Sequence, residues 1–174
     1  MTTTELAFVI GDVLQTEPSP GYWGCAVVLG AASASAGFYP RFIVGITPLV
    51  FQHRFEWPEI NQSGLTILQF ERSIRIGPGE YATRSEHCIG IYTARSKGGI
   101  RVLGNVDANA ICALPLTFDV GDGTGNAFPL YGPMRKTIGG EAVIAWRRIH
   151  DAANLSHEIS ASRKQFEMTK GLTK

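Results

Sequence analysis

The chain has 174 residues, of which 44% are hydrophobic and 18% are charged, a balance typical of a folded protein rather than a disordered one. Sixteen basic residues against fifteen acidic ones give a formal net charge of +1, so no whole-molecule field attracts nucleic acid or an anionic membrane. The length suits one domain. We place that domain at residues 1–155, followed by a weak helix or flexible tail over residues 156–174.

Short apolar runs, separated by 20 glycines and 9 prolines, are typical of a β protein. In chain order they predict strands at Leu6–Leu14, Tyr22–Leu29, Arg41–Thr47, Leu65–Ile76, His87–Thr93, Ile100–Leu103 and Ala110–Leu116. Turns are predicted at Pro18–Gly21, Gly77–Gly79, Lys97–Gly99 and Gly121–Gly123. A loop is predicted at Ala31–Gly37. The phase of apolar alternation changes within Leu65–Ile76, which predicts a bulge or bend there.

The apolar spacing becomes helical after Gly139 and Gly140. The apolar side carries Ala142, Val143, Trp146, Ile149 and Ala153. The polar side carries Glu141, Arg147, Arg148 and Asp151. This pattern predicts an amphipathic helix over about Glu141–Asn154, with Trp146 buried. The fold class is therefore mainly β, of the α+β kind: a strongly bent antiparallel sheet or partly open barrel with a C-terminal amphipathic helix.

Patterns for metal and cofactor binding are not found. The four histidines, His53, His87, His150 and His157, show neither HxH nor HxxxH spacing. The glycine-rich segment Gly121–Asn126 lacks the lysine and hydroxyl of a phosphate-binding loop, so it predicts a wide turn. We therefore expect no cofactor, no metal and no catalytic residues.

Three cysteines, Cys25, Cys88 and Cys112, form no CxxC pair, which favours a reducing compartment. The N-terminal apolar run is too short for a signal core, and no run approaches the roughly 18 apolar residues that cross a bilayer. A cytoplasmic location is expected. A small cysteine-dependent enzyme, using His87 and Cys88 or another thiol, remains an alternative that the apolar surroundings of the cysteines disfavour.

The densest polar and aromatic stretch runs from Phe51 to Glu59. Its aromatic side chains could enter the core, anchor a protein interface, or stack on the bases of a single strand. The acidic Glu56 and Glu59 oppose the nucleic-acid interpretation, which stays an alternative as a nucleic-acid-binding β-barrel module. The residues chosen as candidate partner-binding anchors are Tyr22, Trp23, Arg54, Glu56 and Trp57.

Two N-terminal segments carry a resemblance. Residues 8–14 read Phe-Val-Ile-Gly-Asp-Val-Leu, and residues 21–30 read Gly-Tyr-Trp-Gly-Cys-Ala-Val-Val-Leu-Gly. This pair resembles immunity proteins of bacterial polymorphic-toxin systems, in particular the twenty-sixth catalogued immunity family. The resemblance implies a small β-rich cytoplasmic protein that binds a cognate toxin domain one-to-one and blocks it. The resemblance also implies a non-enzymatic toxin inhibitor, or antitoxin, of bacterial competition.

Overall fold

The structure is a computed structural model that describes residues 8–32, 41–93, 100–112, 128–129 and 138–171. The strands are β1 Asp12–Ser19, β2 Tyr22–Ala32, β3 Arg41–Phe51, β4 Gln69–Gly77, β5 Glu80–His87, β6 Ile89–Thr93, β7 Arg101–Asn105 and β8 Phe128–Pro129. The helices are α1 Ala108–Ile111, α2 Gly140–His150 and α3 Ala152–Gly171. Two short 3-10 helices lie at Trp57–Glu59 and Gln62–Gly64. None of the helices in these ranges is long and apolar enough to cross a membrane.

The main sheet has the order β7-β1-β2-β3-β6-β8. Its first five strands are antiparallel, and the two-residue β8 runs parallel to β6. Register irregularities interrupt the β1–β2, β1–β7 and β2–β3 ladders, which bends the sheet. The strand order has two ends, β7 and β8, so the sheet is open and not a closed barrel. The predicted mainly β, α+β class with a C-terminal helix is confirmed.

Each face of the sheet packs against its own hydrophobic cluster. One cluster contains strand residues that Phe8, Ile138 and Ala142 cover: Leu14, Ala26, Val28, Phe42, Val44, Ile46 and Tyr92. The other cluster contains strand residues that Phe55, Ile60, Leu65 and Ile67 cover: Val13, Cys25, Val27, Leu29, Ile43 and Ile89. Odd and even positions of a strand point to opposite faces, so adjacent residues serve different clusters. The segment between β3 and β4 is therefore the cover of the second face.

The first strand lies further along the chain than predicted. The sequence predicts a strand at Leu6–Leu14, but β1 begins at Asp12. Gly11, with a φ of +90°, lies in a turn before it. The Asp12 carboxylate accepts a hydrogen bond from the Val9 backbone N–H at 2.9 Å, which closes this turn. The predicted boundaries are wrong because β1 continues through two polar residues, Gln15 and Thr16, which are buried.

The predicted strand Leu65–Ile76 also differs from the structure. Leu65 and Ile67 are buried but precede the strand, and β4 begins at Gln69. Leu68 packs against the other cluster. The β4–β5 register is regular from Gln69 to Arg75 and shifts between Arg75 and Gly77, so the irregularity lies at the end of the predicted segment and not midway along it. The sequence reading missed β5, because its residues Glu80–His87 are mostly polar and show no apolar alternation.

Some predictions fall partly or wholly outside the described residues, as does the start of the predicted strand Leu6–Leu14. Of the predicted strand Ala110–Leu116, Ala110 and Ile111 belong to helix α1 and the part after Cys112 is outside. Of the loop Ala31–Gly37, Ala31 and Ala32 continue β2 and the remainder is outside. The predicted turns Lys97–Gly99 and Gly121–Asn126 lie entirely outside.

Two compact units divide the chain between Val143 and Ile144, within helix α2. Ala142 and Val143 are buried as predicted, but Trp146 is only half-buried and Ile149 is 78% exposed. Arg147, predicted on the polar side, is buried at 8% exposure. The expected burial of Trp146 and the expected exposure of Arg147 are therefore wrong.

The burial of Arg147 follows from two carboxylates in the same unit. Its guanidinium donates to both oxygens of Glu158 at 2.7 and 2.8 Å and to Asp151 at 3.0 Å. Residues 147 and 158 are 11 positions apart. They would lie about 16 Å apart along a straight helix, too far for a direct ion pair. The chain therefore bends at Asp151, between α2 and α3, and Arg147 holds the bend.

Candidate partner-binding site

The segment from the end of β3 through the first 3-10 helix carries three of the five candidate anchors, Arg54, Glu56 and Trp57. We name residues 51–60 the aromatic loop. Phe55 is completely buried, and its ring stacks on that of Phe51 with centroids 4.2 Å apart. The Gln15 side chain, buried in β1, donates to the Phe55 carbonyl oxygen. A buried ring and a buried hydrogen bond thus fix the centre of the loop to the sheet.

Glu56 joins the loop to the edge strand β7. Its two carboxylate oxygens accept from the two terminal nitrogens of Arg101 at 2.5 and 2.7 Å. Such paired, charge-assisted hydrogen bonds are stronger and more directional than single neutral ones. The Arg101 hydrogen bonds lower the pKa of Glu56, and the nearby positive charge of Arg54 acts in the same direction. Glu56 therefore stays ionised and paired.

Glu59 fixes the loop from within. One carboxylate oxygen accepts from the Glu56 backbone N–H at 2.6 Å, at the start of the 3-10 helix. The other lies 2.8 Å from His53 Nε2. The His53 hydrogen bond, followed by that of the Glu56 backbone, lowers the pKa of Glu59. Both carboxylates of the loop are thus used to hold its own conformation.

Trp57 lies half-buried over β7. A Cβ atom added to Gly104 would lie 2.6 to 2.8 Å from atoms of the Trp57 indole, so the ring occupies the space above this glycine. The indole also packs against the cluster that Phe55 and Ile60 belong to. Trp57 is therefore partly a core residue and partly a surface residue. Its position fits both the core-packing and the interface interpretation of residues 51–59.

Arg54 and Trp23 meet on the outside of the loop. Trp23 is half-buried at the start of β2, directly opposite Phe51 in the β2–β3 ladder. The Arg54 guanidinium carbon lies 5.9 Å from the centre of the Trp23 ring, within the range of a cation–π contact. Arg54 is exposed, and within the described ranges no carboxylate forms an ion pair with it. The guanidinium thus lies near an aromatic ring on an exposed residue.

Tyr22 lies apart from the other four candidates. Successive strand residues point to opposite faces, and Trp23 packs with Cys25 and Val27 on the face that the aromatic loop covers. Tyr22 therefore lies on the face that packs with Ala26 and Val28. The structure brings together Trp23, Arg54, Glu56 and Trp57, and not Tyr22.

Arg101, His53, Glu59 and Gly104 complete this arrangement, and sequence reasoning did not select them. Arg101 lies 45 positions from Glu56, and no local pattern links the two. The Glu56-x-x-Glu59 spacing at the start of a turn was a usable signal, because an acidic residue at this spacing often accepts from the backbone at a helix start.

The described cysteines are unsuited to nucleophilic chemistry at neutral pH. Burial raises the pKa of Cys25 to about 12. Burial, with a smaller contribution from the Glu141 carboxylate, raises the pKa of Cys88 to about 12 as well. Burial also raises the pKa of Cys112. All three thiols stay protonated, whereas a cysteine nucleophile needs its thiolate form. Across the same described ranges, no three His, Cys, Asp or Glu side chains converge to hold a metal ion.

Comparison of the chain with protein-family models, with curated proteins and with solved structures finds no match.

Proposed function

We propose that this protein acts by binding a partner protein through the surface formed by Trp23, Arg54, Glu56 and Trp57. The observation that supports this most is Arg54, an exposed guanidinium near an indole ring that forms no ion pair with a carboxylate of the described chain. Arginine and tryptophan contribute most often to the binding free energy of protein interfaces. A partner carboxylate placed against Arg54 would gain a charge-assisted hydrogen bond beside an apolar ring.

The loop needs little reorganisation to bind. Phe55 is buried, Glu56 is paired with Arg101, and Glu59 caps the 3-10 helix, so the backbone that carries Arg54 and Trp57 is held at several points. Ordering a flexible loop on binding costs free energy, and a loop already ordered avoids much of that cost. The surface is therefore suited to tight, specific recognition of a folded partner.

The partner we propose is a cognate bacterial toxin domain. The support for it is the resemblance of residues 8–14 and 21–30 to immunity proteins, and the second of these segments contains Trp23. In this proposal the protein is cytoplasmic, forms a one-to-one complex and blocks the toxin sterically, without catalysis. Such an inhibitor needs a complementary surface and a few anchors rather than a reactive group.

The test uses the toxin domain encoded by the gene immediately upstream. The two purified proteins are titrated by calorimetry, and the toxin is expressed in cells with or without this protein. We expect a one-to-one complex and protection of the cells. Absence of such a toxin gene, or of binding by its product, overturns the toxin assignment. Salt-sensitive binding of a labelled single-stranded oligonucleotide instead would favour the nucleic-acid alternative.

Protection at amounts far below those of the toxin would show that the protein turns over. A stoichiometric inhibitor must match the toxin molecule for molecule, whereas an enzymatic antidote need not. That outcome would replace the proposed inhibitor with an enzyme.

A further inference from the structure

The β4–β5 hairpin presents an unpaired strand edge. In the part of the chain that the structure describes, β4 forms a ladder with β5 and with no other strand. Glu71, Ser73 and Arg75 along β4 are exposed, and Ile76 at its end is 61% exposed. The turn at Pro78-Gly79, with a φ of +79° at Gly79, closes the hairpin. Two-stranded hairpins are only marginally stable alone in water, so a further strand would stabilise this one.

The hydrogen-bond pattern shows which residues point to the open edge. The Cys88 N–H donates to the Leu68 carbonyl oxygen at 2.7 Å, at the base of the hairpin. In an antiparallel ladder, hydrogen-bonded and non-hydrogen-bonded pairs alternate. The register is regular from Gln69↔His87 to Arg75↔Tyr81, so the backbone groups of Glu71, Ser73 and Arg75 point away from β5. These residues can therefore form a ladder with a new strand.

The charges on this edge are symmetric about Ser73. Glu71 lies two positions before it and Arg75 two positions after it. In an antiparallel pairing of two copies of β4 centred on Ser73, Glu71 of each copy lies opposite Arg75 of the other. Opposite charges facing each other across strands stabilise a sheet, and like charges destabilise it. The edge is thus complementary to itself in one register.

We infer that two copies of this chain associate through the outer edges of their β4 strands, antiparallel and centred on Ser73. The two hairpins then form one four-stranded sheet with a two-fold axis, the commonest symmetry of soluble dimers. Charged residues on a strand edge often protect it from pairing. Here the same charges oppose the registers centred on Glu71 or on Arg75 and favour the one centred on Ser73, so they select the pairing rather than prevent it. This inference is independent of the partner that the aromatic loop binds.

Charge-swapped variants test the pairing directly. In Glu71→Arg, two arginines face each other across each half of the interface, and in Arg75→Glu two glutamates do. Each variant alone is expected to be monomeric by sedimentation velocity, while the parent is a dimer. When the two variants are mixed one-to-one, every facing pair is again of opposite charge, so the mixture is expected to return to a dimer.

Proline variants test the edge itself. Ser73→Pro removes an N–H that points away from β5 and is expected to abolish the dimer while leaving the hairpin intact. The matched control is Thr83→Pro, because Thr83 lies opposite Ser73 on β5 and its N–H points to the other edge. This control is expected to remain dimeric. A monomeric parent across a concentration series, or dimers that persist in both single charge variants, overturns the inference.

Discussion

Glu56 and Glu59 lie in one short loop but depend on different partners. Hydrogen bonds from Arg101 lower the pKa of Glu56, and the hydrogen bond with His53 is the largest cause that lowers the pKa of Glu59. A carboxyl group whose pKa is lower in the folded protein stabilises the fold above its unfolded value, and this contribution is lost as pH falls through the folded value. The unfolded reference here is 4.5 for both groups. The loop should therefore loosen only below that pH.

Carboxyl NMR titration measures these two midpoints separately. We expect both to lie below 4.5 in the parent protein. Arg101→Ala should raise the midpoint of Glu56 more than that of Glu59, because it removes the hydrogen bonds to Glu56 alone. His53→Ala should do the reverse. Midpoints that both variants leave unchanged would show that neither the Glu56–Arg101 nor the Glu59–His53 contact exists in solution.

Gly104 provides a test of where Trp57 packs. A methyl group on Gly104 would overlap the indole, so Gly104→Ala is expected to cost about 1–3 kcal/mol of unfolding free energy. In a Trp57→Ala background the space is already empty, and the same change should cost much less. Chemical denaturation of the parent, the two single variants and the double variant gives both costs. The matched control is Gly140→Ala, whose added Cβ would meet no atom nearer than 3.9 Å. Equal costs in the two backgrounds would place the indole elsewhere.

A site residue could be predicted from the sequence only where its contacts are local. Trp23, Arg54, Glu56 and Trp57 were selected for their residue types, and they lie together. Tyr22 was selected with Trp23 for the same reason, but strand alternation puts it on the other face. Arg101 could not be found, because its pairing with Glu56 depends on how the strands align in space. Its contribution is visible only in the folded sheet.

At the scale of single elements, the bend between α2 and α3 depends on Arg147. Hydrogen bonds with Arg147 lower the pKa of both Asp151 and Glu158. The stabilisation is therefore present above their reference values of 3.8 and 4.5 and is lost as pH falls through the lowered values.

The pH dependence of helix melting tests this bend. The difference in helical melting temperature between the parent and Arg147→Gln should be largest near neutral pH and should disappear in acid, as followed by circular dichroism. Arg148→Gln is the control, since Arg148 is exposed beside it. A melting-temperature difference that persists after both carboxyl groups are protonated would contradict the role of these ion pairs in holding the bend.

Element positions were predictable where the apolar pattern was strong. Three predicted strands overlap β2, β3 and β6, namely Tyr22–Leu29, Arg41–Thr47 and His87–Thr93. These three strands of the structure lie side by side in the sheet and contribute to both of its clusters. The pattern failed for β5, because an exposed hairpin needs no apolar face. It failed for α2 after Val143, because Arg147 is buried through ion pairs rather than through hydrophobicity.

At the scale of the whole first unit, one segment serves two purposes. Residues between β3 and β4 cover a hydrophobic face of the sheet with Phe55, Ile60, Leu65 and Ile67. The same segment presents Arg54 to the outside. Burial of these four side chains holds the backbone of the segment that also carries Arg54. A surface built this way needs no separate scaffold.

The proposed binding surface depends most directly on Arg54, because this residue is exposed and its loss leaves the core untouched. Calorimetric titration of Arg54→Glu against the cognate toxin domain, with thermal unfolding measured in parallel, separates binding from stability. We expect binding to weaken by at least about 2 kcal/mol, the threshold of an interface hot spot, with almost no change in the free energy of unfolding.

Trp57→Ala should weaken binding too, but should also lower the stability of the fold, because the indole packs over Gly104. The control is Arg148→Glu, the same charge change outside the loop, which should bind like the parent. If Arg54→Glu binds the toxin and protects cells as well as the parent does, the aromatic loop is not the binding surface.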